Sequence, residues 1–239
     1  MSTWKKRTEL PVFKKLKQFQ FDPIQLVEAY EEFSNAKTWD GLGNEYASLC
    51  ETYTRLPKMF FKEQELKDVD RVCDIEWEEA SYQQLSLVEW DDSFTLDKRV
   101  EKSGTRWDTT VAKRNPKADE RWFRKRVKDT PKYFNHVLDT IGKDIVHRTR
   151  FAKLAPKSEI KEHIDYNTEY GIRLHIPIIT NEKATFGGIG QNGREETHFP
   201  ADGSVWFINP GVRHWARNDG DDERIHLIIS VDSQEILNA

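Results

Sequence analysis

His163-x-Asp165, followed fifty-one residues later by His214 and ten after that by Arg224, is the group of side chains whose types and spacing bear most directly on chemistry. Two imidazoles and one carboxylate meeting at a point hold one face of an octahedral ferrous ion, leaving the opposite face open for a co-substrate and dioxygen. The pair His163-x-Asp165 suits extended backbone, where residues two apart point to the same side. His214 must then arrive from a distant strand. A lone H-x-D arises easily by chance, so the weight rests on the order of all four residues and on their strand phase.

The elements that must position these groups show a change of period along the chain. Segments 146–154, 171–179, 184–190, 203–208 and 224–232 read as strands, with turn residues between them. In 171–178 the even-numbered residues are apolar, and Arg173 and His175 share the other face. In the last strand Ile225, Leu227, Ile229 and Val231 line one side, while Arg224, His226 and Ser230 lie on the other. If these polar faces line the mouth of a small barrel, they form a cationic cup around a metal. An arginine there suits a dicarboxylate, because its planar guanidinium holds a carboxylate with two parallel hydrogen bonds. His226 either supports the site as a hydrogen-bonding neighbour or satisfies a polar group inside the barrel. His136, His147 and His198 are expected to be solvent-facing or locally hydrogen-bonded, with no role.

Helical signals come earlier. Asp22-Pro23 opens a helix carrying Ile24, Leu26, Val27, Tyr30 and Phe33 on one stripe. Asp119 is expected to cap a second, with Trp122, Phe123 and Val127, and Thr130-Pro131 to open a third, whose Tyr133, Phe134, Val137, Leu138 and Ile141 keep helical spacing until Gly142. Residues 82–90 alternate as a strand; 91–117 are polar and broken by Gly104 and Pro116. A loop of that length is either a lid or a surface excursion. As a lid it would bring Arg106, Trp107 and Asp108 to a substrate, together with Tyr166 and Tyr170 after Asp165 and Trp215 beside His214. Each of these aromatics also suits plain core or rim packing.

A chain of 239 residues fits a single domain, 1–239. Its formal charge of −4 gives no footprint for nucleic acid or an anionic membrane. No apolar stretch is long enough to span a bilayer, and the first residues lack the apolar core of a secretory signal. Cys50 and Cys73 form neither a metal knuckle nor a disulfide framework, which points to a reducing, cytoplasmic compartment.

Together, His163-x-Asp165, Gly171-Ile-Arg173-Leu-His175, Asn209-Pro-Gly211-x-Arg213-His214-Trp215 and Arg224 resemble the aspartyl/asparaginyl β-hydroxylase family of iron(II)- and 2-oxoglutarate-dependent dioxygenases, over roughly residues 145–233. The resemblance implies a mainly β fold, a double-stranded β-helix (jelly-roll, cupin-like) barrel with flanking helices and a helical N-terminal portion. Residues 1–143 would then be mostly helical and loop support with the lid, and 144–233 the catalytic strands. It further implies that His163, Asp165 and His214 bind Fe(II), and that Arg224 pairs with the distal carboxylate of 2-oxoglutarate. His175 would contact the co-substrate near the metal, and Arg173 would meet either the co-substrate or a substrate carboxylate. The implied reaction uses O2 to hydroxylate an unactivated C–H bond of an amino acid or amino-acid-like molecule, releasing succinate and CO2. The alternatives are a hydroxylase of protein or peptide side chains of the Asp, Asn or Pro type, and a non-catalytic metal-binding module, against which Arg224 counts. The chain departs from the animal members, which have glycine where Asp165 stands and serine where Ala152 stands. Its complete triad is similar to the bacterial branch acting on free amino acids, and Asp165 speaks against a halogenase, which needs that position empty for a halide.

Overall fold

The computed structural model describes residues 5–36, 82–91, 93, 120–165, 168 and 171–238. An N-terminal strand β1 (Phe13–Gln20) leads into helix α1 (Pro23–Asn35). Asp22 caps α1 as its residue types dictate: its carboxylate accepts from the backbone N–H of Ile24 at 2.9 Å and of Gln25 at 3.3 Å, with Pro23 in the first turn. After β2 (Tyr82–Ser86), β3 (Val88–Trp90) and β4 (Phe123–Arg126) comes helix α2 (Lys132–Gly142). Gly142 ends α2 at φ +139°, a conformation open to glycine, and a Cβ there would stand 2.9 Å from Ile145.

The remaining strands are β5 (Val146–Leu154), β6 (Ser158–His163), β7 (Ile172–Ile179), β8 (Ala184–Gly190), β9 (Gly193–Thr197), β10 (Ser204–Ile208), β11 (His214–Asn218) and β12 (Arg224–Val231). They divide between a six-stranded sheet, ordered β1-β10-β7-β12-β5-β2, and a four-stranded sheet, β6-β11-β8-β9, with every pairing antiparallel. From β5 onward the chain passes back and forth between the two sheets. That is the jelly roll, a double-stranded β-helix.

The larger sheet is two-faced because its strands alternate. Ile172, Leu174, Ile176 and Ile178 of β7, with Ile225, Leu227, Ile229 and Val231 of β12, pack against Leu26, Tyr30 and Phe33 of α1 and Phe134, Val137 and Leu138 of α2. Phe151 of β5 is the hub of that layer, with ring centroids 5.0 Å from Phe134 and 5.1 Å from Tyr30. Each such side chain contributes roughly 1.5–3 kcal/mol by leaving water. The opposite face meets the small sheet: Ala152, Leu154, Ile208 and Ile228 close on Ile160, Phe186 and Ala216, filling one end of the barrel with apolar side chains. The polar residues of β5, β7 and β12 occupy the rest of the interior.

Three expectations need correction. Residues 120–126 are not a helix: one 3-10 turn, Glu120–Trp122, runs directly into β4, which pairs with β3. Arg124 and Arg126, two apart, are each held by a carboxylate, Asp232 and Asp139, so strand pairing with charged anchors overrides a weak helical spacing. Segment 82–90 is two strands, because buried Leu87 breaks the ladder; its N–H donates to Thr149 and its carbonyl accepts from Val127, turning the chain from β5 toward β4. The N-terminal part is also not only helix and loop, since β1 pairs with β10. Apart from Asp91 and Ser93, the segment expected to be a lid lies outside the described residues, and with it Arg106, Trp107 and Asp108.

Candidate active site

His163 ends β6 and His214 begins β11, and the two are direct cross-strand partners. Their ring centroids are 4.3 Å apart at an interplanar angle of 51°. The loop before His214 is fixed from both sides. Asn209 donates through its side chain to the Arg7 carbonyl and accepts from the Gly211 N–H at 3.1 Å, and the Asp165 N–H donates to the Pro210 carbonyl at 3.0 Å. Asp165 is thereby brought to the two histidines, with Oδ1 3.4 Å from Nε2 of His163 and Oδ2 3.5 Å from Nε2 of His214. One atom from each of the three side chains falls within 4.8 Å of the others.

The donor chemistry fits a divalent ion. Nδ1 of His163 donates to the Lys161 carbonyl at 2.8 Å, and Nδ1 of His214 to the Val212 carbonyl at 2.9 Å. Each bond fixes the tautomer and aims an Nε2 lone pair at the Asp165 carboxylate. Ligands on an octahedron with bonds of about 2.1 Å are about 3 Å apart, so little movement separates this arrangement from a loaded one. Burial pulls the His214 imidazole below its ordinary pKa, and a protonated His163 would pull it further; for His163 the Asp165 carboxylate outweighs burial and raises the value. At Asp165 burial is likewise overcome, here by the Arg173 guanidinium, which holds the carboxyl well below its usual range.

Behind the triad lies a buried charge network. Arg173 donates to Asp165 and reaches Glu120 at 3.5 Å; Glu120 also accepts from Arg148 and, at 3.2 Å, from Ser230. Arg148 donates in addition to Gln84 at 3.0 Å. Burial alone would raise the Glu120 pKa, but Arg148, Arg173 and Arg150 hold it at about 2, against 4.5 ordinarily. A carboxyl whose folded pKa is depressed adds stability above its unfolded value and loses it as pH falls toward the folded one. Glu120→Gln is therefore expected to cost on the order of 3 kcal/mol at pH 7, as read in denaturant titrations. The difference from wild type should shrink as pH falls from about 4.5 toward about 2; a constant gap across that range would show that the charge of Glu120 is not what stabilises the fold.

Arg224 lies deeper. Its guanidinium bonds His226, Nε at 3.2 Å and Nη2 at 3.0 Å, and stands 5.4 Å from the Phe186 ring centroid. Phe186 in turn stacks on His214 at 6.0 Å and meets His175 edge-on at 5.4 Å, so one ring separates the guanidinium from the triad. No carboxylate pairs with Arg224 among the described residues, and burial lowers its pKa to about 10. His175 and His226, whose Nδ1 atoms are 3.4 Å apart, are driven well below 6.5 by burial and then by Arg224. Both are neutral at pH 7.

The structure thus brings His163, Asp165, His214, Arg173, His175, Arg224 and His226 into one chamber. It does not bring Trp215 there. As the next residue on β11, Trp215 points to the opposite face, covering Gly187 under the Arg194 guanidinium 3.7 Å from its ring. A Cβ on Gly187 would fall 1.9 Å from that indole. Trp215 packs the outer side of the small sheet, which corrects its placement as a substrate contact. Tyr166 and Tyr170 lie outside the described residues. His147 is buried and bonded to the Glu120 carbonyl rather than solvent-facing, while His198 bonds the Ala184 carbonyl and His136 is exposed. Sequence reasoning missed Glu120, Phe186 and the pair Arg148 and Arg150. For the arginines a signal exists, since they alternate along β5 as Arg173 and His175 do along β7.

Comparison with known proteins gives the family. The profile of the aspartyl/asparaginyl beta-hydroxylase family matches residues 38–234. Similar solved structures include a 2OG-Fe(II) oxygenase family oxidoreductase from Burkholderia pseudomallei, at 15% identity over 79% of this chain and 90% of that one, TM-score 0.37. A cupin domain from Bordetella pertussis is 16% identical over 36% of this chain and 81% of its own, TM-score 0.28. An oxalate decarboxylase from Bacillus subtilis is 16% identical over 37% of this chain, TM-score 0.31, and the match spans only 22% of that protein. None of the curated proteins matches. The chain belongs to the aspartyl/asparaginyl beta-hydroxylase family and is thereby a hydroxylase of the 2-oxoglutarate- and iron(II)-dependent kind.

Proposed function

We propose that this hydroxylase acts on an unactivated C–H bond of an amino acid or amino-acid-like molecule, with His163, Asp165 and His214 as the ligands of Fe(II) and Arg224 as the seat of the distal carboxylate of 2-oxoglutarate. The observation that carries the reading is the convergence of three metal-binding side chains one ring away from a buried guanidinium that has no carboxylate of its own among the described residues. A structural metal site has no use for such a clamp.

The bound iron would supply activation of O2, so that one oxygen atom enters succinate, the other enters the hydroxylated product, and 2-oxoglutarate loses CO2. The side chains position and insulate. Arg224 fixes the far end of the co-substrate, and neutral His175 offers a hydrogen bond beside the metal without adding charge. Arg173, tied to both Asp165 and Glu120, sets the angle of the Asp165 carboxylate. Phe186, stacked on His214, keeps water off the wall between metal and clamp. Among the described residues no helix is long and apolar enough to cross a membrane, and the cysteine usage supports a cytoplasmic setting.

Anaerobic addition of Fe(II) and 2-oxoglutarate tests the reading. The weak visible charge-transfer band of a chelated keto acid is expected, followed by succinate release when O2 and a matching amino acid are supplied. No band at saturating concentrations would reject it.

A further inference from the structure

Arg150, inside the barrel on β5, is 3% exposed; its charge helps to keep Glu120 ionised, but no hydrogen bond joins the two among the described residues. Its Nε and Nη1 are buried without a hydrogen-bond partner among the described residues. The nearest carboxylate is already occupied, Glu120 accepting from Arg148 and Arg173 through one oxygen and from Ser230 through the other. Burial and then the charges of Arg148 and Arg173 disfavour the Arg150 cation, and Glu120 and Tyr82 offset them only in part. A buried charge whose donors lack hydrogen-bond partners costs several kcal/mol. A protein that retains one in a reaction chamber has a use for an anion there.

The register says where that anion would sit. Arg150 stands opposite Ile228, which stands opposite His175, so it shares a row of the sheet with His175. Arg224 is rooted opposite Leu154, four residues further along β5, or about 13 Å of strand between the two backbone positions, and its guanidinium turns back to His226, opposite Ala152. These are two seats. Charge gives the same answer: four guanidinium groups carried by β5, β7 and β12, Arg148, Arg150, Arg173 and Arg224, face two carboxylates, Glu120 and Asp165, among the described residues. A divalent ion and a dianionic co-substrate cancel one another and leave that surplus standing.

We propose that Arg150 seats a carboxylate of the substrate, apart from the co-substrate seat at Arg224, so that the enzyme selects a small acid over a neutral molecule. This rests on the function proposed above, and the two fail separately: the charge-transfer band with 2-oxoglutarate needs no substrate.

The test uses the protein loaded anaerobically with Fe(II) and 2-oxoglutarate. The probes are the L-amino acids, their carboxamides, and N-acetyl-L-aspartic acid α-amide, whose only carboxylate is on the side chain. At least one acid should raise the melting temperature and perturb the band, while its carboxamide does neither. A response to free amino acids identifies an α-carboxylate as the occupant; a response to the aspartyl amide alone identifies a side-chain carboxylate. R150Q should weaken the responding acid roughly 30-fold or more, with half-saturation by 2-oxoglutarate changed less than about threefold against that loss. The proposal is overturned if wild type ignores every acid, if carboxamides bind as well as acids, or if R150Q raises the 2-oxoglutarate requirement while the acid still binds. R150M guards against a purely structural role. Without ligands it should melt at or above wild type, and a drop of more than about 10 °C would mean that Arg150 holds the fold.

Discussion

His163→Ala is expected to abolish iron binding and with it all turnover. Loss of an outer hydrogen-bond partner of a metal ligand costs roughly 10–100-fold in affinity, and loss of one of three ligands costs more. Nothing nearby is placed to substitute, since His163, Asp165 and His214 form the sole such group among the described residues. The substitution removes a partly exposed ring at the end of β6, so the barrel should still fold. Anaerobic Fe(II) titration, with the melting curve as a control for folding, separates these effects. A variant that binds iron like wild type would remove His163 from the ligand set.

Arg224→Ala should act at the other end of the chamber and on a different quantity. Truncating one partner of a buried, charge-assisted pair costs about 2–5 kcal/mol, so half-saturation by 2-oxoglutarate should rise by about 30-fold or more. Metal affinity should stay near normal, because Phe186 stands between the guanidinium and His214. Folding should not suffer either, since the change removes a buried charge with no carboxylate to balance it. Iron titration and 2-oxoglutarate titration of one preparation give both numbers. An unchanged co-substrate requirement would reject the clamp.

Much of this site was readable before any coordinates because alternation ties face to sequence. The apolar and polar sides of β7 and β12 fall where period two puts them, α1 where its cap and stripe put it, and α2 where its stripe puts it. The same rule also predicts that Trp215 faces away from His214; proximity in sequence was mistaken for proximity in the chamber. Other features were hidden for physical reasons. Strand β9, Gly-Arg-Glu-Glu-Thr, is a polar edge, and β6 buries only Ile160, so neither shows an apolar face. In β1 only Leu16 is fully covered, and its pairing with β10 joins segments far apart in the chain. Glu120 sits in a stretch with no local pattern for a buried acid, and only tertiary contact with Arg148 and Arg173 gives it a purpose.

The order of the larger sheet bears on how this enzyme can be divided. Strand β1 closes the flank of β10, and β2 closes the flank of β5, so both rims of the catalytic barrel are finished by backbone from the first ninety residues. A fragment starting near residue 144 would keep His163, Asp165, His214 and Arg224, yet it would present two raw ladders of unpaired amides and carbonyls to its neighbours. It would also lose the helical layer that shelters Phe151. The reactive half is therefore not a portable cassette: any graft, swap or truncation must carry its N-terminal hem along with it.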